Sequence, residues 1–136
     1  MAKRNFRHIL HQSGAAILVL GIAGWSIWQY QRAAAREEWN QLIARRTPEA
    51  LTDATKNPPS SPALIRLAGL YEERLFPPDF STAVSLTQKA IRRDPMNSVY
   101  WMRLSHYQFF AGSQENAGSS LRRSDTLDPN FPAQRL

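Results

Sequence analysis

The stretch that decides the fold spans residues 98–129 and reads SVYWMRLSHYQFFAGSQENAGSSLRRSDTLDP. Asn97, directly before it, is a suitable N-cap for a first helix. Gly112 then provides a break, since glycine favours turns over helix interiors. Asp128-Pro129 ends a second helix, because proline cannot continue one. The stretch therefore predicts two helices joined by a short turn.

Parts of this pattern also occur earlier in the chain, at two fixed distances. At a distance of 34 residues, Ala83 recurs as Ala117, Asp94 as Asp128 and Pro95 as Pro129. At a distance of 37 residues, Leu64 recurs as Trp101, Leu67 as Leu104 and Ala68 as Ser105. Three extra residues in the first inter-helix turn, which contains LFPPDF at 75–80, explain the difference. We therefore predict two tandem helix–turn–helix units within residues 61–136.

This arrangement resembles the tetratricopeptide repeat, a 34-residue helix–turn–helix unit. The second helix–turn–helix repeat carries that family's residues at Trp101, Leu104, Ser105, Gly112, Ala117 and Pro129. The first repeat carries them at Leu67, Ala68, Tyr71, Ala83, Ala90 and Pro95. The chain departs from the family at Gln108, where an aromatic residue is usual, and at Ser124, where alanine is usual. The resemblance implies an all-α fold, with a two-repeat α-solenoid over residues 61–136.

The resemblance also implies a partner-binding groove, lined by the first helix of each repeat. In the second repeat these positions are Val99, Met102, His106, Phe109 and Phe110. Apolar and aromatic side chains suit a bound peptide or helix. The alternative for Phe109 and Phe110 is the ordinary core of the repeat. Two repeats are few for stable stacking, so the last helix is a further candidate for a partner contact.

Residues 31–60 are expected to form a helical stalk and a linker. The first half of this region contains strong helix formers and neither glycine nor proline. Its apolar stripe consists of Trp39, Leu42 and Ile43. Thr47 and Pro48 predict the start of a short helix, as N-cap and first helical residue. The segment NPPSSP at 57–62 is the expected domain boundary.

Residues 14–30 (GAAILVLGIAGWSIWQY) contain no charged side chain. As a helix they span about 25 Å, and residues 9–13 extend this towards the roughly 30 Å hydrocarbon core of a bilayer. We therefore predict a single transmembrane helix over residues 14–30, after a basic tail at residues 1–13. Small residues suited to packing against another membrane helix are Gly14, Ala16, Gly21, Ala23 and Gly24. The expected membrane-interface residues are Lys3, Arg4, Arg7, Trp25, Trp28 and Tyr30.

The charges that flank this helix predict its orientation. Basic residues precede it without any acid, whereas Glu37 and Glu38 partly offset Arg32 and Arg36 after it. The positive-inside rule then places the N-terminus in the cytoplasm and the C-terminal domain in the periplasm, as in a bacterial inner-membrane protein. The alternative is a cleaved signal peptide, for which the alanines at 33–35 offer a cleavage site.

Composition excludes several other classes of protein. The chain has no cysteine, which excludes disulfide scaffolds, thiolate metal sites and cysteine nucleophiles. Its 17 Lys and Arg residues against 11 Asp and Glu give a net charge of +6. The basic excess is larger in residues 1–60 than in residues 61–136, so it flanks the apolar run and does not favour nucleic-acid binding. No nucleotide-binding, metalloprotease or serine-hydrolase motif occurs, and we expect no enzyme activity, metal, cofactor or small-molecule substrate.

These features predict a membrane-anchored scaffold or accessory subunit, which docks onto a larger membrane protein complex. The lipid bilayer and other protein subunits are its expected partners. An energy-transducing complex, respiratory or photosynthetic, and an envelope or secretion assembly are both suitable hosts. The alternative function is a free membrane-anchored chaperone or targeting receptor, which binds client peptides transiently in the groove.

Overall fold

The computed structural model of the chain describes residues 3–73, 75 and 77–129, with side chains from Leu18 onward. Within these ranges the secondary structure consists of six α-helices and no β-strand, which confirms the all-α class. The helices are α1 (Lys3–Arg45), α2 (Pro48–Ala54), α3 (Ser61–Glu73), α4 (Phe80–Arg93), α5 (Ser98–Phe110) and α6 (Gln114–Leu127). The chain divides into two compact units, Met1–Glu38 and Trp39–Leu136.

The first unit contains most of α1. Every residue from 18 to 38 is exposed, including the apolar side chains of Leu20, Ile22 and Trp25. Among the residues that the structure describes, no helix combines the length and the apolar character that crossing a membrane requires. The transmembrane helix over residues 14–30 therefore stays a prediction.

The second unit begins with the last turns of α1. Trp39 and Ile43 are buried there, and Leu42 is half-buried. The indole N–H of Trp39 donates a hydrogen bond to the backbone carbonyl of Ala54, at 3.0 Å. The apolar stripe that the sequence assigns to a stalk thus forms part of a hydrophobic core.

Local sequence signals explain how α1 ends and α2 begins. Arg46 takes a left-handed backbone conformation, with φ of 55°, and interrupts the helix. Thr47 is the N-cap of α2, and its hydroxyl accepts a hydrogen bond from the Ala50 N–H. Pro48 occupies the first helical position, as predicted. The 57–62 segment lies within the second unit, where it separates α2 from α3 and starts α3.

Helices α3 to α6 form two helical hairpins that reproduce the two distances found in the sequence. Helices α3 and α5 have 13 residues each and begin 37 positions apart. Helices α4 and α6 have 14 residues each and begin 34 positions apart. The extra residues therefore lie in the connection between α3 and α4, at 74–79, as the sequence predicts.

The core of the second unit lies between adjacent helices of this series. Helix α3 packs against α4, α4 against α5, and α5 against α6. Helix α4 shows the pattern of an amphipathic helix, since its buried residues recur at helical spacing. They are Ala83, Leu86, Thr87, Ala90 and Ile91. Leu64, Leu67 and Tyr107 from α3 and α5 are completely buried in the same core.

The two departures from the repeat pattern place polar side chains inside α5 and α6, and both of these side chains form hydrogen bonds. The carboxamide oxygen of Gln108 accepts a hydrogen bond from the Ser120 hydroxyl at 2.7 Å. The Ser124 hydroxyl donates to the backbone carbonyl of Ser98 at 2.9 Å. These bonds join α6 to both ends of α5, since Ser98 is the first residue of α5 and Gln108 lies near its last.

Candidate functional site

An exposed group of aromatic side chains covers the C-terminal end of α5. The aromatic surface is defined here by Phe80, His106, Phe109, Phe110 and Leu121. Phe109 and Phe110 are 56% and 55% exposed, so they are not part of the core. The ring of Phe110 stacks on Phe80 at 5.2 Å between centroids and meets Phe109 edge-on at 5.5 Å. Exposed aromatic side chains in one patch are typical of a binding surface.

His106 joins this surface to α3. Its Nε2 atom lies 2.7 Å from a carboxylate oxygen of Glu72, and its ring lies edge-on to Phe110 with 4.9 Å between centroids. The two side chains are 46% and 30% exposed, and even a fully charged pair exposed to this degree contributes less than about 1 kcal/mol. The contact therefore orients the imidazole more than it stabilises the fold.

A cavity of about 450 Å³ opens beside the aromatic surface, between α5 and α6. Phe109, Phe110 and Leu121 supply its apolar lining, together with Ala117 and Gly118. Leu121 is 41% exposed although it is a large apolar side chain. The cavity suits an apolar side chain of a partner.

A second cavity, of about 550 Å³, lies between α3 and α5, where the resemblance implies the inner surface of the repeats. Val99 lines it, with Ile65 and Leu70. The charged side chains around it are those of Arg46, Arg66, Arg103 and Glu73. None of the three arginines forms an ion pair with another described residue.

The five predicted groove residues thus divide between two places. His106, Phe109 and Phe110 lie together at the α5–α6 cavity, whereas Val99 lies at the α3–α5 cavity. Met102 is half-buried and lines neither cavity. The structure therefore groups three of the five in one surface.

Among the described residues, Tyr107 is the largest fully buried side chain. Its hydroxyl lies near the guanidinium of Arg103 but forms no hydrogen bond of good geometry with a described residue. Burial raises the pKa of this phenol above 10, and the positive charge of Arg103 opposes that rise. Burial also raises the pKa of Tyr100, and the charge of Asp94 adds to the effect. Both phenols are neutral at physiological pH and have the packing role of core residues.

The predicted membrane residues lie in α1. Trp25, Trp28 and Tyr30 are exposed, and the guanidinium of Arg32 lies 4.0 Å from the centre of the Trp28 ring. Space around Gly21 and Gly24 is open, and Ala23 is exposed. The side-chain positions of Lys3, Arg4, Arg7, Gly14 and Ala16 lie outside the described residues.

A third cavity, of about 600 Å³, lies between α4, α5 and α6 and was not predicted from the sequence. Trp101, Leu104 and Gln108 line it, with Arg92 and Arg123. The sequence feature that could have indicated this cavity is Gln108, where a polar residue replaces the aromatic residue usual at that core position. No local pattern marks the contact between Glu72 and His106, because the two residues lie 34 positions apart whereas α3 and α5 begin 37 positions apart.

Within the described part of the chain, no group of three or more His, Cys, Asp or Glu side chains could hold a metal ion. The chain matches no protein-family model. A search among curated proteins likewise finds no significant match.

Proposed function

We propose that this chain is a membrane-anchored, non-catalytic scaffold or accessory subunit, in which two tetratricopeptide-like repeats dock onto a larger membrane protein complex. The observation that carries the proposal is the aromatic surface, where Phe109 and Phe110 are each more than half exposed. Binding of a partner that removes this apolar area from water is favourable in free energy. The adjoining cavity offers a place for one of the partner's side chains.

The repeat architecture supports a partner at the same end of the second unit. Tandem helical repeats bury their apolar faces against neighbouring repeats, and two units provide few such neighbours. On α6, Leu121 remains 41% exposed beside the aromatic surface. A partner's apolar segment on this surface would take the place of a further repeat.

The first part of α1 supports the membrane anchor. Residues 14–30 are uncharged. The large apolar side chains that the structure describes from Leu18 to Ile27 are exposed. Trp25, Trp28 and Tyr30 follow at the end of this run, where interface residues are expected. In this proposal, residues 14–30 cross the membrane once and the second unit lies in the bacterial periplasm.

A second candidate is a free anchored chaperone or targeting receptor that binds client peptides transiently. The α3–α5 cavity favours it, because Arg46, Arg66 and Arg103 surround an open, partly apolar space. The two candidate functions differ in how long the chain stays bound to its partner. A subunit stays with one complex, whereas a receptor releases its clients.

The proposal can be tested on native membranes that contain the tagged full chain. An alkaline carbonate wash tests the anchor: the proposal predicts that the chain stays in the membrane pellet. Extraction in a mild detergent and a native gel then test the docking. Co-migration with one large complex, with companions identified by mass spectrometry, would support a subunit. Release by carbonate would contradict the anchor, and migration near the chain's own mass would favour the receptor.

A further inference from the structure

The cavity between α4, α5 and α6 has a charge pattern that points to a ligand. Buried Ile91 and Leu104 and half-buried Trp101 give it an apolar base. Exposed Arg92 from α4 and Arg123 from α6 line it as well, and neither forms an ion pair with another described residue. None of the described side chains that line it is a carboxylate. Positive charge and apolar surface therefore occur together without an internal counter-ion.

Gln108 adds a hydrogen-bond donor to the base of this cavity. The residue is only 8% exposed, and its carboxamide oxygen is occupied by the Ser120 hydroxyl. Its amide nitrogen has no hydrogen-bond partner among the described residues. This nitrogen can therefore donate a hydrogen bond to an acceptor bound in the cavity.

We infer that this cavity binds an acidic segment of a partner protein, in which carboxylates flank an apolar side chain. Guanidinium groups pair with carboxylates in charge-assisted hydrogen bonds, which suits Arg92 and Arg123. The apolar side chain covers Trp101 and Leu104, while a carbonyl or carboxylate oxygen accepts from Gln108. The volume of about 600 Å³ lies within the usual range of ligand pockets. The inference rests on the proposed function only in taking the ligand to be a protein segment.

The sequence supplies a matched control for the two arginines. Arg93 and Arg122 are their direct neighbours, but neither lines the cavity. The guanidinium of Arg93 donates to the backbone carbonyl of Pro58 at 3.3 Å. That of Arg122 donates to the Ser119 hydroxyl at 3.1 Å. Equal numbers of charges can thus be removed inside and outside the cavity.

The test uses the full chain, purified in a mild detergent, and a fluorescein-labelled peptide of sequence DELFDE. Fluorescence anisotropy measures its binding beside two control peptides, DEGSDE without apolar residues and KKLFKK with reversed charge. We expect saturable binding of DELFDE alone. The R92Q/R123Q variant should weaken it about ten-fold, because each of two exposed charged contacts is worth a factor of about three. The R93Q/R122Q variant should change it by less than about two-fold, and circular dichroism checks the folding of both.

Three results would overturn the inference: no saturable binding of DELFDE, equal binding of DEGSDE, or an equal loss in the two double variants. Gln108→Leu, which is similar in size but lacks the donor, should weaken DELFDE binding several-fold without changing the helix content. An unchanged affinity of this variant would exclude the role of Gln108. Failure of these tests leaves native-gel co-migration untouched, so it is distinguishable from failure of the docking proposal.

Discussion

Asp79 illustrates how a single side chain fixes the start of a helix. Its carboxylate accepts hydrogen bonds from the Thr82 N–H at 2.9 Å and the Ser81 hydroxyl at 2.7 Å. Partial burial raises the pKa of Asp79, but these hydrogen bonds outweigh it and hold the pKa below the ordinary 3.8. The charged form is therefore the one that stabilises the N-terminus of α4.

Replacing this cap should have an effect that depends on pH. Asp79→Ala is expected to lower the free energy of unfolding by about 1 kcal/mol at pH 7. Because the folded-state pKa is lowered, the cap is fully effective above pH 3.8 and is lost as the pH falls through the folded-state value. Urea unfolding, followed by circular dichroism from pH 7 down to pH 2.5, measures this. A difference that stays constant over that range would contradict the assigned role.

Two glycines of the second hairpin should respond to alanine in opposite ways. Gly112 has φ of 83°, so Gly112→Ala forces an alanine into the left-handed region and should cost about 1–2 kcal/mol. Gly118 lies inside α6, and an added Cβ would meet only an Arg122 side-chain atom at 3.6 Å. Gly118→Ala should therefore raise stability, by up to about 1 kcal/mol. Thermal unfolding of the two variants beside the wild type checks both signs, and equal shifts would contradict the turn geometry.

Residue-scale predictions from sequence succeed where the signal is local. Thr47 and Pro48 mark the start of α2 through neighbours within three residues, and the structure confirms them. Asn97 occupies the predicted N-cap position of α5, but its side chain forms no capping hydrogen bond. The contact between Glu72 and His106 depends on α3 and α5 lying side by side, which no local pattern specifies. The unpartnered amide of Gln108 likewise depends on which side chains of α6 reach it.

At the scale of elements, the sequence predicts the two hairpins well because their breaks are strong. Pro77, Pro78 and Asp79 separate α3 from α4, and Gly112 separates α5 from α6. The region at 31–60 carries a weaker signal for its place in the fold. Trp39 and Ile43 form an apolar stripe, but the stripe does not identify the surface that covers it. The structure places both in the core of the second unit, so that unit begins before the 57–62 segment.

The last turns of α1 should therefore contribute to the stability of the second unit. Trp39 is 5% exposed and hydrogen-bonds to the Ala54 carbonyl, so Trp39→Ala is expected to cost about 3–5 kcal/mol. Trp25 lies in the same helix but is 61% exposed, and Trp25→Ala should leave the unfolding transition unchanged. Urea unfolding of both variants in detergent, followed by circular dichroism, separates them. Equal effects would contradict the assignment of Trp39 to the core.

At the scale of the whole molecule, the resemblance gives the positions of possible contacts but not their grouping. Val99 and Phe109 both lie on α5, yet they line different cavities. The face that each one joins depends on packing against α3 or α6, and those contacts are distant in sequence. The exposed phenylalanines were predicted as a binding surface or as core, and their exposure favours the surface.

The central claim is that the aromatic surface docks the chain onto a larger membrane complex. The most direct measurement compares the native-gel migration of the wild type and of the F109A/F110A variant, extracted from native membranes in mild detergent. Both phenylalanines are more than half exposed, so the variant should fold normally. Met96→Ala is the control, since Met96 is an exposed apolar residue outside this surface. We predict that the wild type and the control migrate with the complex and that the double variant migrates near its own mass. Co-migration of all three, or of none, would contradict the claim.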